Sequence, residues 1–412
     1  MAILTGSVLL LLLLATGCRM WLLSRQIGHV RAERHRVPDA FAGVIPLDAH
    51  QKASDYTAAH ARLAIIEALL DAAVFVAVTW GGGLAFVDAW WRDRGLAGIG
   101  LGIAVIASLY LLVALVGWPL SLYRVFGVEA RFGFNRTTWR LYAADLVKGL
   151  ALAIVLGVPL LAAILALMQS AGDLWWLYAW LVWAGFSLTL AWAYPALIAP
   201  LFNKFLPISD AELARRIEAL IERCGFASRG VFVMDGSRRT AHGNAYFTGL
   251  GVHKRIVLFD TLIERLSAAQ VEAVLAHELG HFRLRHVRKR LLLSLTAGLV
   301  ALAALAQLMQ WPPFFAILGD AAASPHAALI LFAFLLPVVT FWLAPLAAAW
   351  SRRHEFAADE FARRHSDARE LAAALIKLYQ DNATTLTPDA IYSAFFDSHP
   401  PATVRIARLL AS

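Results

Sequence analysis

The sequence predicts a mainly α-helical, polytopic membrane protein with about seven transmembrane helices and a cytosolic α/β region. Three observations carry this. Hydrophobic residues make up 60% of the 412 residues and charged residues only 16%, whereas about a quarter of a soluble domain is charged. Apolar runs lie near 2–23, 64–90, 95–119, 146–168, 174–198, 290–312 and 327–350, and about 20 such residues cross a bilayer. The loops between them alternate between basic and uncharged, as seven spans require.

The first run holds six leucines, Leu9 to Leu14, and its first basic residue, Arg19, comes after it. A secretory signal has its basic residues first, so a retained helix is expected. The loop after this run carries seven Lys or Arg, and the next only Arg92 and Arg94, with Asp93 between them. The third is basic again, from Arg124 to Lys148. The loops around Gly172 and Asp320 have no Lys or Arg, whereas 199–289 and the C-terminal region are rich in them. The positive-inside rule then places the N-terminus outside and 199–289 and 351–412 in the cytosol. The net charge of +8 suits a lipid bilayer as partner. No aromatic-basic platform suggests nucleic acid. Cys18 and Cys224 form no disulfide framework. Two regions follow: an N-terminal membrane domain, 1–198, with about five helices, and 199–412, with two further spans.

Within 199–289, Asp210 can cap a helix that starts at Ala211. Val231–Met234, Asn244–Thr248 and Arg255–Phe259 read as strands, with Gly249, Gly251 and Lys254 in a hairpin loop. From Ser267 the spacing turns helical. Glu67 and Asp71, four apart in the second run, are intramembrane acids, which usually face protein or water.

The helix from Ser267 carries His277-Glu278-Leu279-Gly280-His281. Positions i and i+4 share a helix face, so the two imidazoles can hold one zinc ion, and Glu278 can take a proton from water beside it. A catalytic zinc site uses three protein ligands. His286 has the wrong spacing for a metzincin ligand and reads as a basic residue at the membrane edge. Glu355 is the better candidate, with Asp359 one turn on, able to hydrogen-bond a ligand histidine. A solvated charged face explains the same spacing equally well.

Further stretches carry a resemblance: Phe132-Gly-Phe-Asn-Arg136, Pro200-Leu-Phe-Asn-Lys-Phe205, His242-Gly-Asn-Ala-Tyr-Phe247, Arg255-Ile-Val-Leu-Phe-Asp-Thr261, Arg353-His-Glu-Phe-Ala-Ala-Asp359, and Tyr392-Ser-Ala with Ser398-His-Pro-Pro401. With the HExxH segment, they make the chain resemble the type 1 CAAX prenyl proteases, integral-membrane zinc peptidases of the endoplasmic reticulum with bacterial relatives. The resemblance implies a zinc metalloendopeptidase with one Zn2+ per chain, Glu355 as third ligand and Glu278 as catalytic base. It gives Asp359 a catalytic part, as proton donor or as the group orienting a ligand histidine. It places His399 to steady the substrate carbonyl, where a cap before Pro400 is the plainer reading. It implies that Asn244, Ala245 and Tyr246 receive the peptide as an added strand. It also implies seven spans around a chamber, and removal of the last three residues of prenylated proteins.

An endoplasmic reticulum or bacterial inner membrane is expected, with the active site facing the cytosol. A bacterial member would act on non-prenylated membrane proteins instead. A seven-span transporter or receptor is the rival class, and it needs neither zinc nor Glu278.

Overall fold

The computed structural model describes residues 2–226, 230–248, 255–319 and 322–411. The expected hairpin residues Gly249, Gly251 and Lys254, and the loop residue Asp320, lie outside these. Six helical stretches are long and apolar enough to cross a membrane: Ala2–His35, Gly98–Glu129, Trp139–Ser170, Gly172–Phe202, His286–Met309 and Pro325–His365. Leu47–Val78 and Gly83–Arg92, which meet at a bend of 50°, make a seventh when the bent pair is counted as one span.

That bend departs from the uninterrupted run expected over 64–90, and glycines explain it. Gly82 has φ +75, in the left-handed region, which costs a side-chain-bearing residue about 1–2 kcal/mol. Gly81 and Gly83 press on the Ala77 carbonyl, where a Cβ would come within 2.7 and 2.8 Å of its oxygen. Trp80 then donates its indole N–H to the Ile317 carbonyl at 2.8 Å. Hydropathy cannot see such a break, because Trp and Gly are not polar enough to interrupt an apolar window.

The two intramembrane acids are paired. Glu67 accepts from Arg124, and Asp71 from Arg19 at 3.3 Å. Glu67, Asp71 and Arg19 line a cavity of about 560 Å³ between the spans, with Phe75, Phe334 and Phe341 on its walls.

Outside the spans, four short strands form one sheet: β1 (Phe205–Pro207), β2 (Val231–Met234), β3 (Ala245–Thr248) and β4 (Arg255–Phe259). Their order is β1-β2-β4-β3. The β2–β4 pair is parallel, with Val231 opposite Ile256. The β3–β4 pair is antiparallel, with Ala245 opposite Leu258. β3 is therefore an edge strand. β1 was not expected; its three residues end on Pro207, which suits a sheet edge.

The helix Ala211–Arg223 buries Leu213, Ile217 and Leu220 against this sheet's core, and Asp210 caps it by accepting from the Glu212 and Leu213 N–H groups. That core also holds Leu258, Leu279, Ala362 and Ile406. Phe41 and Ile45, from the segment between the first two spans, are buried in it too, so the membrane half reaches into the polar half. Both cysteines are free.

Candidate metal centre

Two helices build the site. The first, Ala268–Arg283, opens on a capping box in which Ser267 and Gln270 satisfy each other's backbone N–H groups, satisfying two otherwise orphaned donors. The second, Ala344–His365, continues the last span past the expected boundary near 350. They cross at Gly280, where a Cβ would lie 3.0 Å from Ala358 Cα and 3.0 Å from Phe361 Cβ. No other residue type permits so close an approach without displacement.

This crossing brings His277, His281 and Glu355 together. One ligand atom from each lies within 4.8 Å of the others. His277 Nε2 and His281 Nε2 are 3.2 Å apart. Glu355 Oε1 is 3.2 Å from His281 Nε2, and Glu355 Oε2 is 3.5 Å from His277 Nε2. Ligands of a tetrahedral zinc ion at about 2.0–2.1 Å lie roughly 3.3–3.4 Å from one another, so the set fits that ion. Glu355 Oε2 is buried without a hydrogen-bond partner among the described residues. An orphaned buried carboxylate oxygen is costly, and a cation would satisfy it.

Glu278 lines the same small cavity, of about 150 Å³, as His277, Glu355, His399 and Arg405. Burial pushes its carboxyl above the ordinary value of 4.5, although the two imidazoles pull the other way. His399 lies 3.5 Å from Glu355 Oε2 through its Nε2. Its Nδ1 is 3.0 Å from the Ser398 hydroxyl. The loop carrying it is held by Arg352, whose guanidinium donates to the carbonyls of Ser393, Ala394 and Asp397 at 3.1, 3.2 and 2.8 Å.

Asp359 accepts from His277 Nδ1 at 2.8 Å. This fixes the tautomer that leaves Nε2 free as a ligand. Behind it stands Arg405, a residue the sequence reading missed. It donates to both Asp359 oxygens at 2.7 Å and approaches the His277 ring at 3.1 Å. Burial disfavours its charge, but the Asp359 carboxylate outweighs this and raises its pKa. A signal was present. In the helix Ala402–Leu410 the buried positions are Ala402, Arg405, Ile406 and Leu409, so an arginine occupies the apolar stripe.

His286 corrects a second expectation. It is buried rather than a basic residue at the membrane edge. Its Nδ1 lies 3.1 Å from His281 Nδ1, and its ring stacks on His354 at 3.9 Å. It backs His281 much as Asp359 backs His277.

Asn244 and Ala245 line the cavity. Tyr246 does not; its hydroxyl turns to Met234 Sδ at 3.7 Å, because successive side chains on a strand point to opposite faces. Among the described residues, β3 pairs only with β4, leaving its other edge open.

Residues 26–204 match the family model described as CAAX prenyl protease N-terminal, five membrane helices. Residues 207–412 match Peptidase family M48. The chain is 37% identical to a CAAX prenyl protease 1 homolog of Oryza sativa over 74% of its length and 72% of the relative's. It is 32% identical to one from Arabidopsis thaliana over 90% and 89%. The crystal structure of Ste24p from S. mikatae superposes with a TM-score of 0.90 at 27% identity, covering 99% of each chain. With the ligand geometry above, these place the chain in the CAAX prenyl protease 1 family, as a multi-pass membrane zinc metallopeptidase.

Proposed function

We propose that this chain removes the last three residues of prenylated proteins, using His277, His281 and Glu355 as ligands to one zinc ion and Glu278 as general base. The observation that carries this is the near-tetrahedral spacing of the three ligand groups, with Glu278 in the same cavity. Zinc there supplies Lewis-acid polarisation and water activation near neutral pH.

The chain's own residues do the rest. The substrate backbone adds to the open edge at Asn244, Ala245 and Tyr246, held through main-chain hydrogen bonds; Tyr246 contributes its backbone alone. Glu278 takes the proton from the attacking water and passes it to the leaving amine. Its raised pKa suits both halves of that shuttle. His399 donates from Nε2 towards the developing oxyanion, with Ser398 beside Nδ1. Asp359 holds His277 in its ligating tautomer; it does not touch the substrate.

The basic loops orient the site to the cytosol, as expected for an endoplasmic reticulum or bacterial inner-membrane enzyme. The chain divides near residue 199 into a membrane domain and a peptidase domain, a division supported by family matches that meet between 204 and 207.

Glu278→Gln tests the mechanism. It should keep about one zinc per chain and lose about 10²–10⁴-fold in kcat on a prenylated CAAX peptide. Cleavage at the unaltered rate would remove Glu278 from the reaction. A wild-type enzyme that ignores prenylated CAAX peptides would overturn the substrate class alone.

A further inference from the structure

A second cavity, of about 570 Å³, shares His399 with the zinc site and extends among the first three spans. Tyr392 and Phe396 give it apolar wall, and Arg124 is the only lysine or arginine among its described lining residues. Arg124 comes from the span Gly98–Glu129. Its partner Glu67 lines the neighbouring 560 Å³ cavity instead, so the guanidinium stands at the seam between the two.

Glu67 occupies one nitrogen, NH2. Arg124 Nε is buried with no acceptor among the described residues, and the side chain, 44% exposed, is among those lining the cavity. Five N–H donors in a rigid fork serve a single carboxylate oxygen. Such a fork matches a second carboxylate in geometry and charge.

We propose that Arg124 receives the free α-carboxylate of the peptide substrate. This rests on the reading above, in which three residues follow the scissile bond and the chain then ends. The bond is cut beside His399, and those residues run through the cavity that His399 opens. Their side chains meet Tyr392 and Phe396, and the terminal carboxylate meets Arg124. Glu67 holds the guanidinium in place from behind and limits its attraction for anions in general.

Two other titratable side chains, His60 and Asp397, also line this space. His60 is engaged by Glu129 at 2.9 Å. Asp397 is the acid among the described residues on the wall, and burial pushes its carboxyl above its ordinary pKa. The consequence is that the enzyme reads the end of its substrate as well as the bond it cuts.

The test compares two S-farnesylated peptides of one sequence, one with a free C-terminus and one amidated, on the purified full chain in detergent. The wild type should cleave the free acid with a kcat/KM about tenfold to a hundredfold above the amide, the scale of a hydrogen bond to a charged partner. Arg124→Gln should bring that ratio to about one. Glu67→Gln, which frees a further donor, should raise it. Equal cleavage of both peptides by the wild type would overturn this subsite while leaving the peptidase reading intact. No cleavage of either would overturn the prenylated-CAAX substrate class, on which this subsite rests, and not the peptidase reading. If Arg124→Gln does not fold, Glu67→Gln decides: an unchanged or lowered ratio rejects the proposal.

Discussion

Arg405–Asp359 and Arg19–Asp71 are the same pair of side chains in opposite surroundings. Beside the metal ligands, the arginine and aspartate side chains are 6% and 5% exposed, with a two-pronged contact at 2.7 Å. On the cavity wall between the spans they are 36% and 71% exposed, with one contact at 3.3 Å. Burial turns the first into a rigid support whose loss is felt at the zinc site. Exposure leaves the second as a loosely held pair on the cavity wall. Identical chemistry thus gives a rigid contact in one place and a loose one in another, and burial decides which.

The comparison can be broken most sharply at Arg405. Arg405→Met strands the buried Asp359 carboxylate and should cost about 3–5 kcal/mol, read by denaturation in detergent. Adding Asp359→Leu should recover part of that loss, because two apolar side chains need no partner. If the double variant is as unstable as the sum of the singles, the pair is not the unit described here.

Asp359→Asn should weaken zinc binding about 10–100-fold, measured by competition with a chelator. An unchanged zinc affinity with a fallen kcat would instead make Asp359 a proton donor. A smaller effect is expected in the pH profile. The Glu278 carboxyl must be ionised to act as base, and burial raises its pKa above 4.5. Activity should therefore be lost, as pH falls, through a limb lying above 4.5; a limb at or below that value would contradict the raised pKa. The smallest effect belongs to the exposed pair. Asp71→Asn should change stability by no more than about 1 kcal/mol. A loss as large as that at Arg405 would abolish the contrast.

Much of this was legible in the sequence, and the exceptions have physical causes. Local periodicity found the helix carrying His277 and His281, because both ligands lie on one turn. Glu355 was ambiguous by spacing, since a ligand and a solvated acid look alike until a second helix is placed against them. Arg405 was missed because an amphipathic C-terminal helix normally points its arginines to water. His286 was misjudged because five residues of separation say nothing about a helix break; Arg285 sits there with φ 60, turning His286 back onto His281. The bend at Thr79–Gly82 was hidden because hydropathy averages over glycine. Tyr246 lies on the expected strand with its hydroxyl turned to Met234, a side-chain direction that period-two alternation next to the cavity-lining Ala245 could have revealed.

Gly280 lies in the chain between the ligand residues His277 and His281. Its missing side chain lets the helix bearing the histidines sink onto Ala358, only three residues from Glu355. Any side chain there would act as a shim, backing the carboxylate away from both imidazoles by tenths of an ångström. The spacing of the three ligand groups therefore rests on the thickness of one backbone, and a position that the HExxH pattern treats as free is a fixed dimension of the site.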